Sequence, residues 1–88
     1  MASLTLPQTL ASFCDGKRRL AAEGPTVRSA LETAFSRHPL LRSQLVDEAG
    51  ALRPHLHLFL NEEDVRNALD TPLTPGDRLL VLRATSGG

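Results

Sequence analysis

Eighty-eight residues with 41% apolar content suffice for one small domain with one hydrophobic core. Ten basic side chains balance ten acidic ones, so the long-range field favours neither nucleic acid nor an anionic membrane. Trp and Tyr are absent, the three Phe (Phe13, Phe35, Phe59) do not interleave with basic residues, and no apolar run approaches the length of a membrane span. The expectation is a soluble cytoplasmic domain with no nucleic-acid or membrane partner.

The first residues, MASLTLPQTLAS, lack the basic n-region and continuous apolar stretch of a signal peptide. Leu4 and Leu6 alternate with Ser3 and Thr5, the period-two pattern of a half-buried strand. Past Pro7 the strand is expected to resume through Leu10 and Phe13, as suits an edge or a bulge. Cys14-Asp15-Gly16 reads as a turn, because glycine adopts the positive φ that hairpin turns require. Lys17 to Ala22 then returns as a second strand with Leu20 inward. Cys14 is the one cysteine, which excludes an internal disulfide and fits a reducing compartment. Without an identifiable base beside it, Cys14 is read as incidental rather than nucleophilic, and Lys17-Arg18-Arg19 as a solvated hairpin face.

Gly24-Pro25 breaks the hairpin, and Thr26 is placed to cap a helix. Val27, Ala30, Leu31, Ala34 and Phe35 form one apolar stripe at helical spacing, and His38-Pro39 ends it. Leu40 to Val46 predicts a short second helix with Leu41 and Leu45 on one face, followed by a loop over Asp47 to Ala51. Pro54 to Leu60 predicts a central strand, with Leu56, Leu58 and Leu60 on one face and His55, His57 and Phe59 on the other. Asn61 to Asp64 reads as a polar turn and Val65-Arg66 as the start of a short return strand. Leu69 to Pro75, with two prolines, is a constrained loop. Pro75-Gly76-Asp77 turns the chain into the last strand, Leu79 to Leu82.

A right-handed crossover through the helix places the first and last strands side by side and parallel. The expected class is therefore α+β, of the β-grasp (ubiquitin-like) plan: a mixed sheet of about five strands, one main helix across it and a short second helix. Residues 1–83 are expected to form the domain and residues 84–88 a flexible tail. The histidines carry no ligand spacing with Cys or carboxylates, so no metal site is expected at His38, His55 or His57.

FLNEEDVR (Phe59 to Arg66), LDTPLTPGD (Leu69 to Asp77), a final apolar strand and Gly87-Gly88 together resemble the MoaD/ThiS family of ubiquitin-like sulfur-carrier proteins. GPTVRSALETAFSRHP (Gly24 to Pro39) is similar to the corresponding part of that family, so the likeness covers essentially the whole chain. The Asn61 to Arg66 stretch is most similar to the branch serving cysteine biosynthesis and is shared by archaeal-type molybdopterin carriers. Where many members have prolines before the glycines, this chain has Leu82-Arg83-Ala84-Thr85-Ser86, which leaves the tail less stiff.

The resemblance implies that the Gly88 carboxylate is adenylated by an E1-like enzyme of the MoeB/ThiF type, which uses ATP and magnesium. A persulfide or sulfurtransferase then donates sulfur, and the resulting thiocarboxylate enters an acceptor synthase. The carrier itself is expected to bind no cofactor and to be no enzyme. Gly87 and Gly88 lack a Cβ and so can thread a narrow channel in extended conformations closed to other residues. Phe59, Leu80, Leu82, Arg83, Thr85 and Ser86 are the expected partner contacts, with Phe59 either on an exposed sheet face or buried under a loop. Two further readings use the same tail: a modifier conjugated to lysines of other proteins, and a small subunit whose tail supplies sulfur inside a larger partner. The acceptor stays open among cysteine, molybdopterin, thiamine and specialised-metabolite biosynthesis.

Overall fold

The structure is a computed structural model, and residues 2–83 are described. Strand β1 (Ala2–Thr5) sends Ala2 and Leu4 to the core, with Leu6 just beyond it, and leaves Ser3 and Thr5 half-exposed. The strand does not resume after Pro7: Gln8–Cys14 is a 3-10 helix. The physical reason lies in the spacing. Leu10 and Phe13, and Ala11 and Cys14, recur every three residues, which matches three residues per turn rather than the alternation of a strand. Asp15 and Gly16, at φ 55 and 81, then reverse the chain into β2 (Arg19–Ala22), antiparallel to β1 with Leu4 opposite Leu20.

Helix α1 (Val27–Arg37) opens on a reciprocal cap: the Thr26 hydroxyl accepts from the Ser29 N–H at 3.2 Å, and the Thr26 N–H donates to Ser29 Oγ at 3.0 Å. The predicted stripe of Val27, Ala30, Leu31, Ala34 and Phe35 is buried. Pro39 stops α1 and serves as the first residue of α2 (Pro39–Leu45), where its missing N–H costs nothing. Leu41 and Leu45 are fully buried, each contributing about 1.5–3 kcal/mol. The Arg42 guanidinium bonds Glu32 and lies 5.1 Å from the Phe35 ring centroid, tying α2 back onto α1.

Strand β3 (Leu56–Leu60) buries Leu56 and Leu58, with Leu60 partly covered. The return strand β4 is Glu63–Asp64 rather than Val65-Arg66. Asn61 and Glu62 both take positive φ (50 and 83), making a turn too tight to spend four residues on, so pairing restarts at once with Glu63 opposite Leu60 and Asp64 opposite Phe59. Val65 is instead a core residue, and the Arg66 guanidinium donates to the carbonyls of Leu52, Arg53 and Leu56, holding the loop that leads into β3. Strand β5 (Arg78–Arg83) completes a five-stranded mixed sheet among the described residues, in the order β2-β1-β5-β3-β4. The middle strand is thus β5, with β3 one place from the edge. β5 runs parallel to β1, as the crossover argument requires, and antiparallel to β3. The core lies between one sheet face and the two α-helices.

Candidate functional site

The alternation of β5 divides its side chains between two environments. Leu79 and Val81 are buried against the helices, while Leu80 and Leu82 turn to the open face and stay 36% and 43% exposed. Phe59 stands opposite Leu80 and His57 opposite Leu82 on the neighbouring β3. The His57 and Phe59 rings lie 6.2 Å apart, tilted by 33°. Phe59, Leu80 and Leu82, with Thr5, Asn61, Glu62 and Arg78 around them, line an open groove of about 450 Å³. Phe59 is therefore on the sheet face, half-buried, and not under a loop.

Arg83 does not join this group. By alternation it falls on the other side of β5, opposite Leu56, and lines a separate depression with Leu10, Phe13 and His55. The structure thus brings Phe59, Leu80 and Leu82 together and separates Arg83 from them. Thr85, Ser86, Gly87 and Gly88 lie outside the described residues.

One end of the groove is fixed by a polar clasp that sequence reasoning did not single out. Asn61 Nδ2 donates to Asp77 Oδ1 at 2.8 Å, and Asn61 Oδ1 accepts the Arg78 N–H at 2.9 Å. The Asn61 N–H also donates to the Arg78 carbonyl at 3.0 Å. The other Asp77 oxygen accepts the Thr74 N–H at 2.8 Å and the Thr74 hydroxyl at 3.0 Å. These bonds join the turn after β3 to the turn before β5, setting the strands that present Phe59 and Leu80. The Thr74 N–H first, then the Asn61 amide and the Thr74 hydroxyl, hold the Asp77 carboxyl below its ordinary value of 3.8. The available signal was an asparagine at a tight turn and an Asp closing a Pro-Gly turn, both common local hydrogen-bonding residues.

The other polar candidates are dispersed. Cys14 is buried, and burial, then the Asp15 carboxylate, push its thiol above 9.0, which depletes the nucleophilic thiolate. His55 sits beside Arg83 and Phe13, apart from His57 on the open face. Among the described residues no group of three His, Cys, Asp or Glu is placed to hold a metal ion, and no helix is long and apolar enough to cross a membrane. A wider depression of about 540 Å³ lies near Gly50, Arg66 and Asp70. Its arginines are already engaged, Arg66 by three carbonyls and Arg28 by Asp70 at 3.1 Å.

The model of the ThiS family matches residues 5–88, a span that includes the apolar groove, β5 and the diglycine. The chain belongs to the ThiS family. Structural comparison agrees over the full length. A chain of the Amycolatopsis orientalis BexX/CysO complex superposes with a TM-score of 0.88 at 30% identity, covering 100% of both chains. SAMP1 from Haloferax volcanii superposes with a TM-score of 0.78 at 31% identity, covering 99% of this chain and 98% of that one. CysO from Mycobacterium tuberculosis shares the fold, with a TM-score of 0.87 at 24% identity over 97% of this chain and 100% of that one. No curated protein sequence matches. The fold is thus the β-grasp of the ubiquitin-like sulfur carriers, as the resemblance of Asn61 to Arg66 and Leu69 to Asp77 implies.

Proposed function

We propose that this ThiS-family member carries sulfur as a thiocarboxylate on Gly88. The observation that carries the reading is that the family match runs through Gly87-Gly88 while β5 presents an apolar face just upstream. A carboxylate is a poor acyl donor because its leaving group would be oxide. Attack of the Gly88 carboxylate on the α-phosphorus of ATP releases pyrophosphate and forms an acyl adenylate. The terminal sulfur of a persulfide then attacks the acyl carbon and AMP leaves, giving an acyl disulfide. A thiol reductant cleaves the S–S bond, leaving the thiocarboxylate on the carrier. An E1-like enzyme of the MoeB/ThiF type, with ATP and magnesium, performs the activation, and the carrier performs no chemistry on its own.

In this reading Phe59, Leu80 and Leu82 dock on the activating enzyme and on the acceptor synthase in turn. A half-exposed aromatic flanked by two leucines is the kind of anchor cluster that dominates interface energies. Gly87 clears the entry channel, and Thr85 and Ser86 span the distance from the sheet. Extending the chain by one alanine beyond Gly88 should abolish ATP–pyrophosphate exchange with the cognate activating enzyme and leave the circular dichroism spectrum unchanged. Undiminished exchange by the untrimmed extended protein would place the reactive group elsewhere.

The likeness to Haloferax volcanii SAMP1, a small archaeal modifier protein, favours one alternative: conjugation of Gly88 to lysines of target proteins. Tryptic peptides whose lysine carries the five-residue remnant Ala84 to Gly88, left by cleavage after Arg83, would support it, and their absence from cells that hold the thiocarboxylate would exclude it.

A further inference from the structure

We infer that the free edge of β2 is a docking site for an extended acidic segment of a partner protein, which adds to the sheet as a sixth strand. The site is separate from the Phe59–Leu82 groove and does not depend on the chemistry proposed for Gly88.

Among the described residues, strand β2 is the outer strand at one end of the sheet, paired on one side alone. The Leu6 N–H donates to the Arg18 carbonyl, and the register sets Leu4 opposite Leu20 and Ala2 opposite Ala22. Bonded pairs alternate along an antiparallel ladder, so Leu20 and Ala22 bond to β1 while the N–H and C=O groups of Arg19 and Ala21 point away from the sheet. Neither residue makes a backbone hydrogen bond outside the ladder among the described residues. Two donors and two acceptors therefore stand in a row on an unpaired edge, the template that strand addition uses.

The chemistry beside that edge selects the occupant. A depression of about 200 Å³ runs between β2 and the end of α1, lined by Lys17, Arg19, Leu20, Ala34, Arg37 and His38. Lys17, Arg19 and Arg37 are exposed, and no acidic residue among the described ones lines the depression. Glu23 bonds Arg37, and none of the described ion pairs takes up Lys17 or Arg19. Leu20 and Ala34 give the floor an apolar strip for one inward side chain of an added strand. In a chain with no net charge this is a local concentration of positive groups. Basic side chains on an edge repel a second copy of the same edge, and the same charges attract an acidic strand. The far edge of the sheet, β4, is two residues long and acidic, Glu63-Asp64, so it offers a second copy little ladder to pair with.

The test uses the full 88-residue chain, labelled with nitrogen-15, and a synthetic ten-residue peptide of alternating valine and threonine ending in three aspartates. Saturating peptide should slow amide exchange at Arg19 and Ala21 by about tenfold or more and leave Leu20, already bonded to β1, unchanged. The double reversal Arg19→Glu with Arg37→Glu should weaken peptide binding by about tenfold or more, since like charges then face each other, with the fold retained by circular dichroism. A peptide with lysines in place of the aspartates should not bind. The inference is overturned by unchanged exchange at Arg19 and Ala21, by binding that survives the charge reversal, or by shifts confined to Leu80 and Leu82. It is also overturned if sedimentation shows the carrier alone dimerising with the same amides protected, or if polyuridylate, and not the peptide, occupies these basic residues.

Discussion

Phe59 and Leu80 face each other across β3 and β5 on the side of the sheet away from the helices, and each is held by the residue beside it in the chain. Leu79 and Leu58 anchor the two strands in the core, both with no exposed surface, while Phe59 and Leu80 remain open to a partner. Docking and stability are thereby carried by alternate residues of the same strands. Leu80→Asp, or Phe59→Ala, should raise the KM for the cognate activating enzyme by about tenfold or more, as loss of an interface anchor does, with little change in urea midpoint. Arg83→Ala, on the other side of β5, should change that KM far less. Steady-state pyrophosphate exchange with the three variants checks both statements.

Leu58→Ala should have the opposite profile. The side chain is fully buried between sheet and helices, so truncation leaves a cavity and should cost about 2–5 kcal/mol in urea unfolding. At temperatures where the variant is still folded, its KM should stay close to that of the parent chain.

Gly24 adopts φ 147, and a Cβ built there would lie 2.3 Å from Ser29 Oγ and 2.9 Å from Ser29 Cβ. Gly24→Ala therefore strains the backbone and pushes against the capping pair at the start of α1. We expect a loss exceeding that of Thr26→Ala alone, which should cost about 1 kcal/mol as N-cap removals do. Adding Ser29→Ala to Gly24→Ala should restore only part of the loss, because the Ser29 Cβ contact and the positive φ persist. Thermal unfolding of the set decides it. An unchanged melting temperature for Gly24→Ala would show that the turn relaxes freely.

How far the sequence carried depended on the period of each segment. The stripe Val27 to Phe35, bounded by Thr26 and by His38-Pro39, placed α1 to the residue because cap, stripe and stop all agree. The parallel pairing of β1 with β5 followed from a crossover rule that holds whatever the side chains. Gln8–Cys14 resembles a continued strand in the sequence because Pro7 interrupts the strand without ending the apolar residues, and their spacing of three mimics a bulged alternation. β4 begins two residues before Val65, which has the β-branched character of a strand residue but fills the core. At the candidate site, Leu80 and Leu82 could be assigned by parity from a well-placed strand. Arg83 is next to them in the chain and close to the tail, yet parity sends it to the other face. The Asn61–Asp77 clasp joins residues sixteen apart, so the turn chemistry legible at each of them does not reveal that they pair.

That clasp should make the groove sensitive to acid. The Asp77 carboxyl is held below its ordinary value in the folded chain, so its ionised form favours folding. This contribution is present in full above the unfolded value of 3.8 and is lost as pH falls through the lower folded value. Asp77→Asn should remove that part of the pH dependence, flattening the plot of urea midpoint against pH below about 4. An identical slope in the variant would mean that other carboxylates account for acid unfolding.

The central claim concerns the acyl group at Gly88, and intact-mass spectrometry reads it most directly. The 88-residue chain is incubated with its activating enzyme, ATP, magnesium, a persulfide donor and a thiol reductant. The account predicts the mass gain of one oxygen exchanged for one sulfur, with fragmentation placing the sulfur on Gly88, and no gain when ATP is omitted. An unchanged mass with an enzyme verified as cognate, or sulfur located on Cys14 in place of Gly88, would contradict it.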